Sequence, residues 1–284
     1  MAIIDGKALA TKTKKALKQR VERLKSKGIT PGLAAILVGE NQASQIYIRG
    51  KEQDAKSLGF YSVIDRVSAA ISQKDLLRKV EKYNKDEKIH GLLVQFPLPK
   101  HIDEKIITFA IDPKKDVDGF HPVNMGRLFM GNPLMIPCTP FGIMRMFEEY
   151  NIEVAGKEAV VIGRSNIVGK PMATLLTMAN ATVTLTHSKT KNLPEITKCA
   201  DILVVAIGRA YFVSKEFVKK GATLIDVGMN RLENGKVLGD VNFKEVAKIT
   251  SFITPTPGGV GPMTRAMLME QTLLAAERKI GESF

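Results

Sequence analysis

Hydrophobic and polar positions along the chain form blocks that have the lengths of strands and helices. Short apolar runs that end at a glycine or a proline, such as 33–38 and 91–96, predict strands buried on both faces. Other stretches, such as 7–27 and 42–58, carry apolar residues at helical spacing along one face. Alternation of this kind predicts an α/β fold built on parallel sheets.

The alternation resumes after residue 157 and continues to about residue 226. Residues 112–137, by contrast, are rich in Asp, Gly, Pro and Asn, so we expect a long irregular segment there. A helix opening at Thr139 and Pro140 is expected to lead into the second half of the chain. A last helix from Met263 is too short to begin another domain and is expected to pack on the first half.

The length of 284 residues fits two domains of ordinary size. We therefore expect two α/β domains with a cleft between them. The first comprises residues 1–139 together with a C-terminal helix at 263–284. The second, residues 140–262, is expected to be a Rossmann-like domain with a parallel sheet.

A glycine turn follows the apolar run 159–162 and precedes a helix with Gly169 and Pro171 in its first turn. Strand, glycine turn and helix together offer backbone N–H groups and a positive helix end to a phosphate. The spacing from Gly163 is Gly-x-Ser-x-x-x-Gly, which differs from the usual dinucleotide fingerprint. Taken alone, it is equally typical of an ordinary strand–helix turn.

The next apolar run, 181–185, ends without a carboxylate and is followed by Thr-His-Ser-Lys-Thr at 186–190. Enzymes that use NAD place an acidic residue at this point to bind the ribose hydroxyls. Hydroxyl and cationic groups, together with Arg164, instead suit the additional 2′-phosphate of NADP. We therefore predict NADP rather than NAD, although a polar loop is the plainer alternative.

The charge of the chain, 42 basic against 29 acidic residues, gives a net +13. The lysines are spread along helical segments with few aromatic residues among them, so we expect a solvated basic surface and no nucleic-acid partner. No apolar run is long enough to predict a membrane span, and the N-terminal sequence lacks the core of a signal peptide. Two cysteines make no disulfide framework, and four histidines show no metal-binding spacing. We expect a cytoplasmic protein without a bound metal.

Polar side chains stand where a ligand site of an α/β domain is expected. Ser44, Tyr47 and Lys51 are three and four residues apart, so they share one face of a helix that follows a buried strand. Spacing alone favours the simpler interpretation that Tyr47 and Lys51 are a pair on a solvent-exposed helix surface. Gln95, at the end of another buried strand, is either a core amide or a donor facing a cleft. Asp118 either caps a turn or binds an amine-rich ligand.

As a set, these motifs resemble the bifunctional methylenetetrahydrofolate dehydrogenase/methenyltetrahydrofolate cyclohydrolase family. The resemblance covers essentially the whole chain, with the motifs in the family's order. They are Ala43-Ser-x-x-Tyr-x-x-x-Lys51, Gly91-Leu-Leu-Val-Gln-x-Pro-Leu-Pro99, Lys115-Asp-Val-Asp-Gly119, Pro137-Cys-Thr-Pro140, Gly163-Arg-Ser-x-Ile-Val-Gly-x-Pro171, His187-Ser-x-Thr190 and Pro257-Gly-Gly-Val-Gly-Pro-Met-Thr264.

The resemblance implies an enzyme that oxidises 5,10-methylenetetrahydrofolate with NADP and hydrolyses the methenyl product to 10-formyltetrahydrofolate. The implied catalytic residues are Lys51, Gln95, Tyr47 and Asp118. The implied substrate-binding residues are Ser44, Tyr47, Lys51, Val94, Gln95, Phe96, Asp118, Pro257, Gly258, Gly259, Val260 and Gly261. The implied cofactor contacts are Gly163, Arg164, Ser165, Ser188 and Met229. A homodimer is implied as well.

Two alternatives make different predictions. Another two-domain NADP-dependent oxidoreductase, of the shikimate dehydrogenase type, would not need the Tyr47/Lys51 pair or the glycine-rich turn at 257–261. A basic, nucleotide-sensing binding protein without enzymatic activity would bind nucleic acid in a salt-dependent way.

Overall fold

The computed structural model describes residues 1–232, 234–279 and 281. The chain forms two compact units, each with its own sheet. The six-stranded unit comprises Met1–Thr11 and Thr139–Thr264, and the three-stranded unit comprises Lys12–Cys138 and Arg265–Phe284. Of the expected C-terminal helix 263–284, residues 280 and 282–284 lie outside the described residues.

Strands and helices alternate through most of the chain, as the hydrophobic pattern predicts. The strands are β1 (Ala2–Ile3), β2 (Gly32–Val38), β3 (Tyr61–Val67), β4 (Gly91–Gln95), β5 (Glu158–Ile162), β6 (Thr182–Thr186), β7 (Ile202–Val205), β8 (Thr223–Asp226), β9 (Asn230–Arg231), β10 (Val237–Leu238) and β11 (Phe252–Ile253). The helices are α1 (Gly6–Ser26), α2 (Gln42–Leu58), α3 (Gln73–Lys85), α4 (Glu104–Ala110), α5 (Pro122–Phe129), α6 (Cys138–Glu149), α7 (Gly169–Met178), α8 (Leu193–Thr197), α9 (Phe243–Val246) and α10 (Val260–Lys279), with a 3-10 helix at Lys215–Phe217. Within the described part of the chain, no helix is both long and apolar enough to cross a membrane.

The sheet of the six-stranded unit is parallel throughout, in the order β1-β11-β8-β7-β5-β6. All residues of β7 and β8 are buried. Burial on both faces explains why β7 is a continuous apolar run, whereas β8 has Thr223 and Asp226 at its two ends. The chain moves outward from β5 to β6 and then returns to β7 on the other side of β5. Such a reversal opens a crevice at the carboxyl ends of the strands, which is where doubly wound folds bind ligands.

The three-stranded unit has a parallel sheet in the order β3-β2-β4. Every residue of the central strand β2 is buried. Helix α2 begins after β2 because the Asn41 side chain caps it, accepting a hydrogen bond from the Ser44 N–H at 3.1 Å. It ends at Gly59, whose φ of 78° places it in the left-handed region that favours glycine. Ser72 caps the start of α3, where its Oγ accepts the Asp75 N–H at 3.1 Å.

The segment 112–137 is not wholly irregular, because α5 lies inside it. The His121 ring caps this helix by accepting the Val123 N–H at 3.1 Å, and Pro122 occupies its first turn. The buried Asn124 donates to the backbone oxygen of Pro113 and to the Asp116 carboxylate. Because a histidine cap and a buried amide are not signals of local helix propensity, the prediction of an irregular segment is wrong over these eight residues.

The N-terminal residues do not stay with the unit that the sequence led us to expect. We expected residues 1–139 in one domain, but Met1–Thr11 belong to the six-stranded unit. The reason is strand β1, which pairs in parallel with β11. The N–H of Ile4 also donates to the backbone oxygen of Ile253 at 2.9 Å. A two-residue strand is too short to produce a visible hydrophobic pattern.

Candidate active site

A chain of hydrogen bonds joins α2 to the carboxyl end of β4. Lys51 Nζ donates to Gln95 Oε1 at 3.1 Å, and Gln95 Nε2 donates to the backbone oxygen of Phe96 at 2.9 Å. Ser44 Oγ donates to the same oxygen at 3.3 Å. Four of the predicted site residues therefore meet at one edge of the three-stranded sheet, with the Lys51 ammonium oriented by an amide.

The predicted residues differ in how far they can reach a ligand. The Tyr47 side chain is 38% exposed, whereas Lys51 and Gln95 are half-buried. An exposed aromatic ring one helical turn before a half-buried amine can take a ligand ring against its face. Val94, by contrast, is 3% exposed and packs in the core of the unit, so its side chain is not available to a ligand.

The turn that carries Asp118 is held by a neighbouring buried carboxylate. Asp116 accepts hydrogen bonds from the backbone N–H groups of Phe120 and His121 at 3.2 and 2.8 Å, and from Asn124 Nδ2 at 2.8 Å. Burial raises the pKa of Asp116, and the hydrogen bond from Asn124 is the largest opposing effect. Asp118 itself is half-buried. The two aspartates therefore have different roles, one inside the turn and one at its surface.

The side chain of Gln271, on α10, anchors the same turn from another side. Its Nε2 donates to the backbone oxygens of Val117 and Ile136, both at 2.7 Å, and its Oε1 accepts the Ile136 N–H at 2.7 Å. The residue before Asp118 is thereby fixed. Sequence reasoning missed Gln271, and its only local signal is an amide at a helical position that turns out to be 2% exposed.

The buried thiol of Cys138 is influenced by the charges of both Lys51 and Asp118. Burial raises the pKa of the Cys138 thiol well above its usual value, and the Asp118 carboxylate raises it further, whereas the Lys51 ammonium acts in the opposite direction. Both charged groups are thus within electrostatic reach of one buried sulfur. The thiol stays neutral and donates to the Val117 backbone oxygen at 3.1 Å. In the described residues, no cluster of three His, Cys, Asp or Glu side chains is placed to hold a metal ion.

In the six-stranded unit, a cavity of about 300 Å³ opens at the carboxyl ends of β5 and β7, where the strand order reverses. Its wall includes the predicted cofactor contacts Gly163, Arg164 and Ser188. It also includes a second guanidinium, that of Arg209. The apolar part of the wall comes from Leu193, Ile207 and Phe212. Cations and a hydroxyl beside an apolar wall suit a phosphorylated nucleoside, so this donor set fits NADP.

The turn between β5 and α7 requires its glycines. Gly163 has a φ of 117°, and a Cβ there would collide with the carbonyl oxygen of Ala206. A Cβ at Gly169 would collide with the carbonyl oxygen of Gly163. Ser165 Oγ accepts the N–H groups of Val168 and Gly169 at 3.2 and 3.3 Å, so this hydroxyl caps the start of α7. Its predicted role as a cofactor contact is therefore shared with a structural one.

The loop after β6 is organised by its own side chains. The Thr190 hydroxyl accepts the His187 N–H at 2.9 Å, and His187 Nδ1 accepts the Lys189 N–H at 3.2 Å. The hydroxyl of Ser188 is left at the surface, on the wall of the cavity.

A fully buried carboxylate, Asp240, holds the loop after β7, which forms another part of the cavity wall. It accepts the backbone N–H groups of Ile207, Gly208 and Arg209 at 2.8, 3.0 and 2.8 Å, and Asn230 Nδ2 at 2.9 Å. Sequence reasoning missed both Asp240 and Arg209. The available signal was the sequence Ala-Ile-Gly-Arg at 206–209, a glycine and a cation directly after a buried strand.

A second buried carboxylate supports the first. Asp226 accepts the N–H groups of Asp240 and Gly228, both at 2.9 Å, and of Val241 at 3.2 Å. Burial raises the pKa of Asp226 to about 7 against the effect of these three donors. Met229 follows Gly228 and is 45% exposed, so the predicted cofactor contact lies on a loop that the two carboxylates shape.

The glycine-rich turn at 257–261 belongs to the six-stranded unit. Gly258 has a φ of 105°, and its carbonyl oxygen accepts the Lys7 N–H at 2.9 Å. A Cβ at Gly261 would lie 3.3 Å from Met229 Sδ, so the structure brings these two predicted residues together. The Val260 side chain is buried at the start of α10.

The chain is similar to known proteins over its whole length. Residues 4–118 match the catalytic domain of tetrahydrofolate dehydrogenase/cyclohydrolase, and residues 137–280 match the NAD(P)-binding domain of the same family. The bifunctional protein FolD of Lactococcus lactis subsp. cremoris is 62% identical over 283 residues, which are 100% of this chain and 99% of that protein.

Solved structures agree with these matches. The bifunctional FolD methylenetetrahydrofolate dehydrogenase/cyclohydrolase of Campylobacter jejuni has a TM-score of 0.97 and 48% identity, covering 98% of this chain and 99% of that one. The Trypanosoma brucei enzyme, solved with NADP and an inhibitor, has a TM-score of 0.95 and 39% identity, covering 99% and 98%. A shikimate dehydrogenase of Aquifex aeolicus has a TM-score of 0.53 and 12% identity over 88% of this chain and 97% of that one, which is similarity of fold alone.

Proposed function

The chain belongs to the tetrahydrofolate dehydrogenase/cyclohydrolase family, and from this membership we propose how its residues carry out the two reactions. The enzyme oxidises 5,10-methylenetetrahydrofolate to 5,10-methenyltetrahydrofolate and then hydrolyses this cation to 10-formyltetrahydrofolate. NADP, when bound, supplies the acceptor for the hydride that leaves the one-carbon bridge. In the hydrolysis, water adds to the bridge carbon and one proton is released. The bond from that carbon to N5 then breaks while the proton of the new hydroxyl group is transferred to N5, which leaves the formyl carbonyl on N10.

The observation that carries the catalytic assignment is the 3.1 Å hydrogen bond from Lys51 to Gln95. Both proton movements of the hydrolysis need a group that can accept and return a proton, and a lysine amine can do so. Gln95 holds the amine at the end of β4, and Ser44 supports Gln95 through the shared backbone oxygen of Phe96. We assign to Tyr47 the face on which the aminobenzoate ring of the folate stacks.

Asp118 is assigned to the pterin head group. A carboxylate accepts two hydrogen bonds from the guanidine-like edge of a pterin, and charge-assisted bonds of this kind are strong and directional. The support for this assignment is the fixed backbone around Asp118, where Asp116 accepts the N–H groups of Phe120 and His121 and Gln271 donates to the Val117 oxygen. A backbone that is already ordered loses little entropy when the substrate binds.

The cavity at the ends of β5 and β7 is assigned to NADP. Arg164 and Ser188 are proposed to bind the 2′-phosphate, and the glycine turn at Gly163 leaves backbone room for the pyrophosphate. The assignments of Met229 to the nicotinamide and of 257–261 to the wall of the folate site stay predictions based on the family.

A homodimer and a cytoplasmic location are proposed on the same basis, and no nucleic-acid partner is proposed. Sedimentation velocity at several protein concentrations tests the dimer, since a mass of one chain at micromolar concentration would contradict it. An electrophoretic shift assay in salt tests nucleic-acid binding.

The function is tested by an absorbance assay with 5,10-methylenetetrahydrofolate and NADP. We expect methenyltetrahydrofolate to form together with NADPH and then to decay to 10-formyltetrahydrofolate. Replacing NADP by NAD should greatly reduce the first step. Absence of NADPH formation would contradict the dehydrogenase, and a methenyl signal that decays no faster than in buffer would contradict the cyclohydrolase.

A further inference from the structure

The cofactor cavity holds two guanidinium groups that come from different loops. Arg164 follows β5 and Arg209 follows β7, and both line the cavity together with Ser188. Among the residues that the structure describes, no carboxylate forms an ion pair with either arginine. Two like charges on one concave wall repel each other, and an anion bound between loops of this kind relieves the repulsion.

A second cavity of the same unit differs, because two of the three lysines that line it are paired with carboxylates. A cavity of about 270 Å³ at the opposite end of the sheet is also lined by lysines. There, Lys157 pairs with Glu153 at 2.8 Å and Lys219 pairs with Asp201 at 2.7 Å. The two cavities are similar in size, and the one at the carboxyl ends of the strands keeps its guanidinium groups without carboxylate partners.

Arg209 is held in place before any ligand arrives. Its guanidinium carbon lies 4.7 Å from the centre of the Phe212 ring. Its backbone N–H donates to the buried Asp240. A guanidinium stacked on an aromatic face keeps its in-plane N–H groups directed outward, which is the geometry for two parallel hydrogen bonds to a phosphate. Holding the side chain in advance also lowers the entropy lost on binding.

The position of Arg209 indicates which phosphate it meets. In doubly wound dinucleotide folds the glycine turn after the first strand binds the pyrophosphate, and the end of the second strand recognises the ribose hydroxyls or the 2′-phosphate. Ser188 follows that second strand, β6, and shares the cavity wall with Arg209. We propose that Arg209 is a second guanidinium for the 2′-phosphate of NADP and a determinant of the preference for NADP. This inference rests on the proposed function and adds a residue to it.

The test uses binding by the full-length chain rather than turnover. Isothermal titration calorimetry with 2′,5′-ADP and with 5′-AMP separates the contribution of the 2′-phosphate from that of the adenosine. Arg209→Gln should weaken 2′,5′-ADP binding by about ten- to a hundredfold, the range for a lost charge-assisted hydrogen bond, and change 5′-AMP binding by about twofold or less. Arg209→Lys, which keeps the charge but not the planar fork, should fall between wild type and Arg209→Gln.

Arg231→Gln is the matched control, since Arg231 is an exposed arginine of the same unit that does not line the cavity. It should leave both affinities unchanged. Unaltered 2′,5′-ADP binding by Arg209→Gln would overturn the inference. Equal weakening of both ligands would also overturn it, because the side chain would then act on the adenosine or on the loop. Circular dichroism checks that each variant is folded. If Arg209→Gln does not fold, Arg209→Lys is used for the same comparison.

Failure of the proposed function would look different. Wild-type protein that binds 2′,5′-ADP no more tightly than 5′-AMP would remove the NADP assignment and the inference together. A wild type that discriminates while Arg209→Gln discriminates equally well would remove the inference alone.

Discussion

At the scale of single residues, Lys51 and Asp118, which both influence the buried Cys138 thiol, are held in place by different contacts. Lys51 is held by one hydrogen bond to an uncharged amide, and within the described residues it has no carboxylate partner. The turn of Asp118 is held by Asp116 from one side and by Gln271 from another. The amine can therefore transfer a proton without breaking an ion pair, whereas the backbone that carries the Asp118 carboxylate is held in place.

Lys51→Met tests the proton transfers. Methionine keeps the length and apolar stem but cannot exchange protons, so conversion of methenyl- to 10-formyltetrahydrofolate should fall by about a hundred- to ten-thousandfold. Reduction of NADP should stay measurable because it depends mainly on alignment, and methenyltetrahydrofolate should accumulate. Absorbance follows both steps. Lys56→Met, on the same helix but exposed and paired with Glu52, is the control. A folded Lys51→Met variant with full cyclohydrolase activity is incompatible with the mechanism.

Asp118→Asn tests the pterin assignment. Asparagine keeps the shape and loses the anion, so folate affinity should fall by about ten- to a hundredfold, and both activities should fall with it. Calorimetric titration with tetrahydrofolate, alongside both assays, measures this. Asp103→Asn is the control because Asp103 caps α4, a role that asparagine fills equally well. The assignment fails if Asp118→Asn binds folate normally and loses only one activity.

At the scale of elements, buried carboxylates organise the loops that follow the strands. Asp240 ties the loop after β7 to Asn230 on β9, and Asp226 at the end of β8 holds the backbone of Asp240. Asp116 does the same for the turn before α5. In each case backbone N–H groups that no strand or helix can satisfy find an acceptor inside the protein, which keeps a polar loop ordered next to a site.

Asp240→Asn tests the loop after β7. The asparagine amide cannot accept on its nitrogen side, and each backbone donor left unsatisfied costs about 1–3 kcal/mol. We expect a loss of at least about 2 kcal/mol in the free energy of unfolding by urea, together with weaker NADP binding. Asp201→Asn should cost about 1 kcal/mol or less, since it loses a partly exposed ion pair with Lys219. Unchanged stability of Asp240→Asn would show that the loop does not depend on the carboxylate.

At the scale of the whole molecule, the net charge is +13, and one buried histidine, His90, stays neutral at pH 7. His90 is 7% exposed, and its Nδ1 accepts the Gly32 N–H at 3.0 Å. Burial, assisted by the positive charges of Lys279 and Lys115, lowers the pKa of His90 to about 4. Protonation of this ring would remove the acceptor and place a charge in the core.

The stability of the protein should therefore fall in mild acid. Below about pH 6.5 the unfolded chain takes up a proton at His90, while the folded chain does not until about pH 4. Across that window the unfolded state binds more protons, so the His90 contribution to the free energy of unfolding decreases as the pH falls. Urea unfolding at pH 7, 6 and 5 should show a steeper loss for wild type than for His90→Gln. His101→Gln, at an exposed position, is the control and should behave like wild type. Identical pH profiles of stability for wild type and His90→Gln would refute the predicted contribution of His90.

The sequence by itself determined the features that depend on neighbouring residues. Apolar periodicity predicted the main strands and helices, and the spacing of Ser44, Tyr47 and Lys51 placed them on one face of α2. The glycine turn at Gly163 and the loop at Ser188, both singled out from the sequence, line one cavity. These features are readable because helix and strand periods, caps and left-handed turns are set by residues a few positions apart.

Only the tertiary structure decided which distant groups satisfy one another. Gln271 bonds Ile136 across 135 residues, and Asp240 bonds Ile207 across 33. The pairing of β1 with β11, the burial of Val94 and the place of Arg209 in the cavity at the ends of β5 and β7 depend on the same folding of remote segments together. A buried polar group must form a hydrogen bond with whichever group the packed chain brings next to it. The local pattern of hydrophobic and polar residues does not indicate which distant residue that will be.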